Sequence, residues 1–199
     1  MTLSVARFTA VRTIAFALAL AMLAGSTALA ASKDKERSKI RKMSHDSLSR
    51  LYKKEPTAKA AIAHAAGYAV FSNTGMKILV AGGGRGQGVA VKNATRKETF
   101  MKMIEVQAGL GFGVKKFRLI WVFETDQAFD QFVESGWEFG AQATAAAKAG
   151  SEGGGLAGAV SVSPGVWLYQ LTDNGLALEL TAKSTKYFKD DELNSQDND

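Results

Sequence analysis

The sequence predicts an α+β domain: N-terminal helices, then a strongly curved antiparallel β-sheet, a partial barrel, with one inserted helix. Three observations carry this expectation. Helical periodicity is confined to the segment before Gly67, apart from one later stretch. Beyond it, β-branched and aromatic runs divided by Asn, Gly and Lys pairs read as strands. Glycine and alanine recur inside those runs, at 82–88, 108–113, 140–149 and 153–159, where they permit sharp bends and close backbone approach.

Residues 1–30 read as a secretory signal peptide. Arg7 and Arg12 precede the apolar run "TIAFALALAMLAG", and "STALA" ends in the small pair Ala28 and Ala30. The run from Ile14 to Gly25 is shorter than the roughly 20 residues a membrane span needs. Cleavage after Ala30 is expected, with an exported product that is periplasmic or secreted. The chain has no cysteine, so its fold must rest on packing without disulfides.

Residues 31–55 predict a basic amphipathic helix, with Ser32 as N-cap and Pro56 enforcing the stop. Ile40, Met43, Leu48 and Leu51 form a narrow apolar stripe. Lys35, Lys39, Lys42, Arg50 and Lys53 crowd into a sector of roughly 80° beside it, at about 100° per residue. A second helix, "TAKAAIAHAA", is expected to stop at Gly67. The strands follow as "GYAVFSN", "KILVAGG", "GVAVKN", "FMKMIEVQAGLGFG" and "KKFRLIWVFE". "TDQAFDQFVESG" is the inserted helix, with Thr125 as N-cap and Ala128, Phe129, Phe132 and Val133 as its apolar face. "WEFGAQATAAAKAG" and "GGLAGAVSVS" read as small-residue strands around a Gly150–Gly155 turn. "GVWLYQLT", the turn "DNG" and "LALELTAKST" read as a hairpin. Residues 195–199 close the chain as a disordered acidic tail.

The glycine-rich stretch around Gly82, Gly84 and Gly86 is not a nucleotide loop. Read from Gly82 or Gly84, the last glycine of G-x-G-x-x-G falls on Gln87 or Val89, and "VAVKN" continues as a strand instead of a helix. Catalytic chemistry finds little to work with. His45 and His64 lie on helices without a paired nucleophile, and His45-Asp46 reads as a solvated pair. No Cys, His or carboxylate cluster has metal-ligand spacing, and the acidic tail lacks the pattern of a Ca²⁺ loop. No catalytic residue, metal or cofactor is therefore expected. Glu134 and Glu138 straddle a helix end at Gly136 and face solvent. Asn93-Ala94-Thr95 has the form of a glycosylation acceptor, relevant in a eukaryotic secretory route. Phe112, Phe117, Trp121, Phe123, Trp137 and Trp167 either pack a core or line a ligand cavity.

Charge is uneven. Against a formal net charge of +6, residues 31–59 hold ten basic and four acidic groups, while 189–199 hold one basic and five acidic. The basic groups lack interleaved aromatics, which argues against nucleic acid.

Several blocks in order, "AGYAVFSNTG", "GGGRGQGVAV", "GLGFGVKKFRLIWVFE", "FVESGWEFGAQATAAAK" and "LTAKSTKYFKDDELN", resemble the SYLF domain. The resemblance runs from about Ala60 to Asn194, so residues 56–194 form the SYLF-like domain. It implies lipid binding. Eukaryotic members of that family associate with phosphoinositide membranes, and the yeast-type ones also with actin. No further module accompanies the domain in this sequence, and an export signal would remove the chain from actin.

The expected function is non-enzymatic binding of acidic lipid headgroups or an anionic membrane surface in the bacterial envelope. Lys35, Lys39, Lys42, Arg50 and Lys53 are its candidate lipid-binding residues. The stripe of the basic helix either enters the headgroup layer or packs on the sheet. Two alternatives stand beside this reading: a carrier of a small apolar ligand inside the sheet, and an envelope interaction or structural module.

Overall fold

A computed structural model describes residues 31–78, 81–108, 113–139, 156–173, 175–177 and 184–195. The expectations for 1–30, for the Gly150–Gly155 turn and for 196–199 lie outside these residues. The chain divides into two units, Met1–Ser38 with Gln196–Asp199, and Lys39–Ser195. In the first, residues 31–38 are helical, and Arg37 meets Asp34 one turn away at 2.9 Å. Ser32 therefore lies inside the helix and is not its N-cap, because Ala31 is already helical.

The second unit opens with helical residues 39–54 (α1) and α2 (Thr57–His64). Pro56 caps α2, since its missing N–H leaves no orphan donor at a helix start. α2 ends before Gly67, which is instead the first residue of β1 (Gly67–Ile78). Then come β2 (Ala81–Lys92), β3 (Glu98–Ala108), β4 (Gly113–Phe123), α3 (Asp126–Glu134) and β5 (Trp137–Phe139). β6 (Val160–Ser163), β7 (Val166–Thr172), β8 (Gly175–Ala177), β9 (Ser184–Lys189) and α4 (Asp191–Asn194) complete the order. "KILVAGG" is not a strand of its own. It contains the end of β1 and the start of β2, which pair continuously from Gly67↔Lys92 to Ile78↔Ala81.

These elements form an α+β fold on a strongly curled antiparallel sheet, a partial barrel, as the sequence predicts. Its strand order is β5-β9-β3-β2-β1-β4-β7. β6 and β8 share the far side of β7, β6 opposite Val166–Leu168 and β8 opposite Gln170–Thr172.

The central strands carry two cores because alternate residues point to opposite faces. On one face Phe71, Met101, Met103, Trp121, Phe123 and Tyr187 pack against Phe129, Phe132 and Val133 of α3. Rings meet there edge-on or tilted, as with Phe71–Tyr187 at 4.9 Å and Phe123–Phe132 at 4.9 Å. On the other face Tyr68, Val70, Val89, Ile120, Val122 and Tyr169 pack against Ile40 and Leu51 of α1, Ala58 and Ile62 of α2, and Leu193 of α4.

Local signals fix the helices on this sheet. Thr125 caps α3, its Oγ1 accepting from Ala128 N at 3.2 Å. Gly136, at φ +69°, turns the chain from α3 into β5, and any side chain there would strike the Tyr187 carbonyl. Asn194 ties α4 to β3, donating to Phe100 O at 2.7 Å and accepting from Phe100 N at 2.9 Å. Asn93 donates to Ile62 O and Ala65 O at 2.7 and 2.8 Å, so this half-buried amide locks the α2–β1 corner.

Candidate functional site

The glycines of β2 are architectural. At Gly86 an added Cβ would lie 2.5 Å from Ser72 O and 2.6 Å from Met103 Cγ, and at Gly88 it would strike Phe71 and the Val70 carbonyl. Both lie mid-strand, where neighbouring strands and core side chains close over the bare backbone.

Both histidines and Glu134 lie at the surface. His45 Nδ1 stands 3.7 Å from Asp46 Oδ1, and both side chains are exposed. His64 is exposed, with Nδ1 against Ala60 O at 2.7 Å. Glu134 is exposed and accepts from Lys189 Nζ at 2.5 Å. Among the described residues no group of three or more His, Cys, Asp or Glu could hold a metal ion.

Of the aromatics, Phe117, Trp121 and Phe123 belong to the α3-side core. Trp167 is half-buried on the other face and donates Nε1 to Glu124 Oε1 at 2.8 Å. Trp137 lines a groove of about 380 Å³ that also takes in Phe132, Gln127 and Gln131. Phe112 lies outside the described residues.

The candidate lipid-binding residues are all exposed on their helix. The structure brings three of them together. Lys39, Lys42 and Arg50 line a groove of about 420 Å³ with Met43, Asp46, Ser47 and Arg118. Lys35 belongs to the first unit, and Lys53 does not line the groove. The apolar stripe is settled by burial: Ile40 is 3% and Leu51 0% exposed, with Met43 and Leu48 packed beside them. The stripe packs on the sheet and leaves only the basic flank outside.

Arg118 is the residue that sequence reading missed, because "KKFRLIWVFE" signals a strand and nothing more. It lies on the face of β4 that bears Ile120 and Val122, one step beyond the helix-covered core. Its Nη1 donates to Ser72 Oγ in a short hydrogen bond. Burial pulls the Arg118 guanidinium below its usual range, and the like charge of Arg50 adds to this. Arg50 Nη2 donates to Thr172 O at 3.3 Å, which aims it across from α1 toward β7. Lys42 donates to Asp46 Oδ2 at 3.2 Å, and this hydrogen bond is the main reason the Asp46 carboxyl sits below its usual range. The groove thus sets four cations against one carboxylate. An anion entering it would relieve the Arg118–Arg50 repulsion and replace water that Arg118 has lost.

No family model matches the chain. It is 34% identical over 154 residues to Beta cell expansion factor A of Aeromonas veronii, a match that covers 77% of this chain and 57% of that protein. The chain therefore spans little more than half the length of this curated relative.

Proposed function

We propose that this protein is a non-enzymatic binder of acidic lipid headgroups on the anionic surface of a bacterial envelope membrane. The observation that carries the reading is the groove of Lys39, Lys42, Arg50 and Arg118, whose four cations face one carboxylate. Phosphate-bearing headgroups match it, since guanidinium forks bind phosphate oxygens in pairs and each exposed cation near an anionic bilayer contributes about 1 kcal/mol. The SYLF resemblance of residues 56–194 supports the same reading, as does the signal-like segment 1–30, which suits an exported, peripheral location. No helix among the described residues is long and apolar enough to cross a membrane.

Co-sedimentation with phosphatidylglycerol vesicles tests this. Binding is expected with these vesicles, absent with phosphatidylcholine, and weakened by salt, because exposed charges are screened beyond about 8 Å at physiological ionic strength. Replacing Lys39, Lys42 and Arg50 by Gln should remove most of it with thermal stability nearly unchanged. Equal binding by that variant would take the groove out of the mechanism and move the carrier reading forward.

A further inference from the structure

α1, α2 and α4 cover only part of their face of the sheet. The row across Val70, Val89 and Phe100 lies in their core, whereas the rows beyond Arg118 leave it. In one such row, register places Lys116 opposite Thr74, Thr74 opposite Arg85, Arg85 opposite Ile104, and Ile104 opposite Lys186. Lys116, Arg85 and Lys186 are exposed. Glu138 stands opposite Lys186 in register. Ile104 is 44% exposed, and Val106, one row further out, is 61% exposed; they are the exposed large hydrophobic residues among those described.

The geometry points to this end of the sheet, which none of the described helices covers, as the surface that enters the membrane. Val106 and Ile104 would sit at the level of the headgroups and upper acyl chains, with Lys116, Arg85 and Lys186 against phosphates. Resting on the lipid-binding reading above, the inference deepens it by naming a second, apolar element of the contact. A cationic row beside exposed aliphatic side chains is the composition of an interfacial membrane contact. Charge complementarity selects an anionic bilayer over a second copy of the chain, because three cations share this row with Glu138 at its edge and self-pairing would bring two such cation-rich rows together. The patch also continues the groove, since Lys116 is two residues from Arg118 on the same face of β4. One cationic strip thus runs from Lys42 to Lys186. α1 supplies charge to it, and β3 supplies the apolar tip.

Because the chain has no cysteine, a single introduced one can be labelled uniquely. The protein from Ala31 onward, carrying Val106→Cys or Gln127→Cys with an environment-sensitive fluorophore, is mixed with vesicles of phosphatidylglycerol and phosphatidylcholine. The label at 106 should shift to the blue and be quenched by lipids spin-labelled in the acyl chain. The label at 127, on α3 across the sheet, should do neither. Replacing Arg85, Lys116 and Lys186 together by Gln should weaken vesicle binding about 100-fold, at about fivefold for each cation near the surface. Vesicle binding by the unlabelled protein with a silent label at 106 would overturn this surface and leave the lipid reading standing. Absence of any vesicle binding would overturn both. A change at 106 that needs only more protein and no vesicles would overturn the proposal in favour of self-association.

Discussion

Gly86 shows how much one missing methyl group decides. Its Cα faces Asn73 on one side and Met103 on the other, and an added Cβ would fall 2.5 Å from Ser72 O. Gly86→Ala should therefore lower stability by about 2 kcal/mol, because neither the backbone carbonyl nor the packed Met103 can withdraw. Gly83 lies in the same strand, yet its nearest neighbour would be Glu105 O at 3.4 Å. Gly83→Ala should be neutral within about 0.5 kcal/mol. Urea titrations of the two variants make the comparison, and equal losses would mean that the glycines serve strand flexibility and not close approach. Sequence composition conveyed that these glycines belong to strands. It could not distinguish Gly83 from Gly86, because that depends on what the neighbouring strands place above each one.

At the scale of elements, α1 joins two roles on one cylinder. Leu51 is fully buried under the sheet, while Lys53, two residues on, is exposed. Leu51→Ala should cost about 3 kcal/mol by urea unfolding, whereas Lys53→Gln should stay within about 0.5 kcal/mol. A small loss at Leu51 would mean that α1 docks only loosely. The helical period made the stripe and the basic flank legible, along with α3 and its Thr125 cap. It left open whether the stripe meets sheet or lipid, since either surface accepts Ile and Leu. Nor could it reveal Arg118, whose place beside Lys42 and Arg50 arises from a helix–strand contact between distant segments. Alternation in "KKFRLIWVFE" assigns its residues to two faces, but both faces of β4 are apolar over much of their length. The strand boundary in "KILVAGG" was obscured for a related reason, because β1 and β2 run through glycine where β propensity is lowest.

For the molecule as a whole, the four tyrosines report on the two cores together. Burial raises each of them above the usual 10.0, with Tyr169 pushed up to about 12 and Tyr187 higher still. Lys92 and Lys102 are raised above 10.5, chiefly by hydrogen bonds to Asp130 and Asp190 respectively. Groups raised on folding stabilise the fold fully below their unfolded values and lose that contribution as pH climbs through the folded ones. From neutral pH to about pH 10 stability should therefore be level as far as these groups are concerned, and it should fall beyond that, with tyrosinate absorbance and loss of circular dichroism rising together. Tyrosine ionisation near pH 10 in a chain that keeps its circular dichroism would contradict this packing. The strand order has a consequence of another kind. Among the described residues β5 is held to the sheet through β9, and β9 is also the neighbour on the outer side of β3. A protease cutting just before Ser184 would therefore remove two strands' worth of pairing, bare the backbone donors and acceptors of β3, and hand a growing aggregate its template.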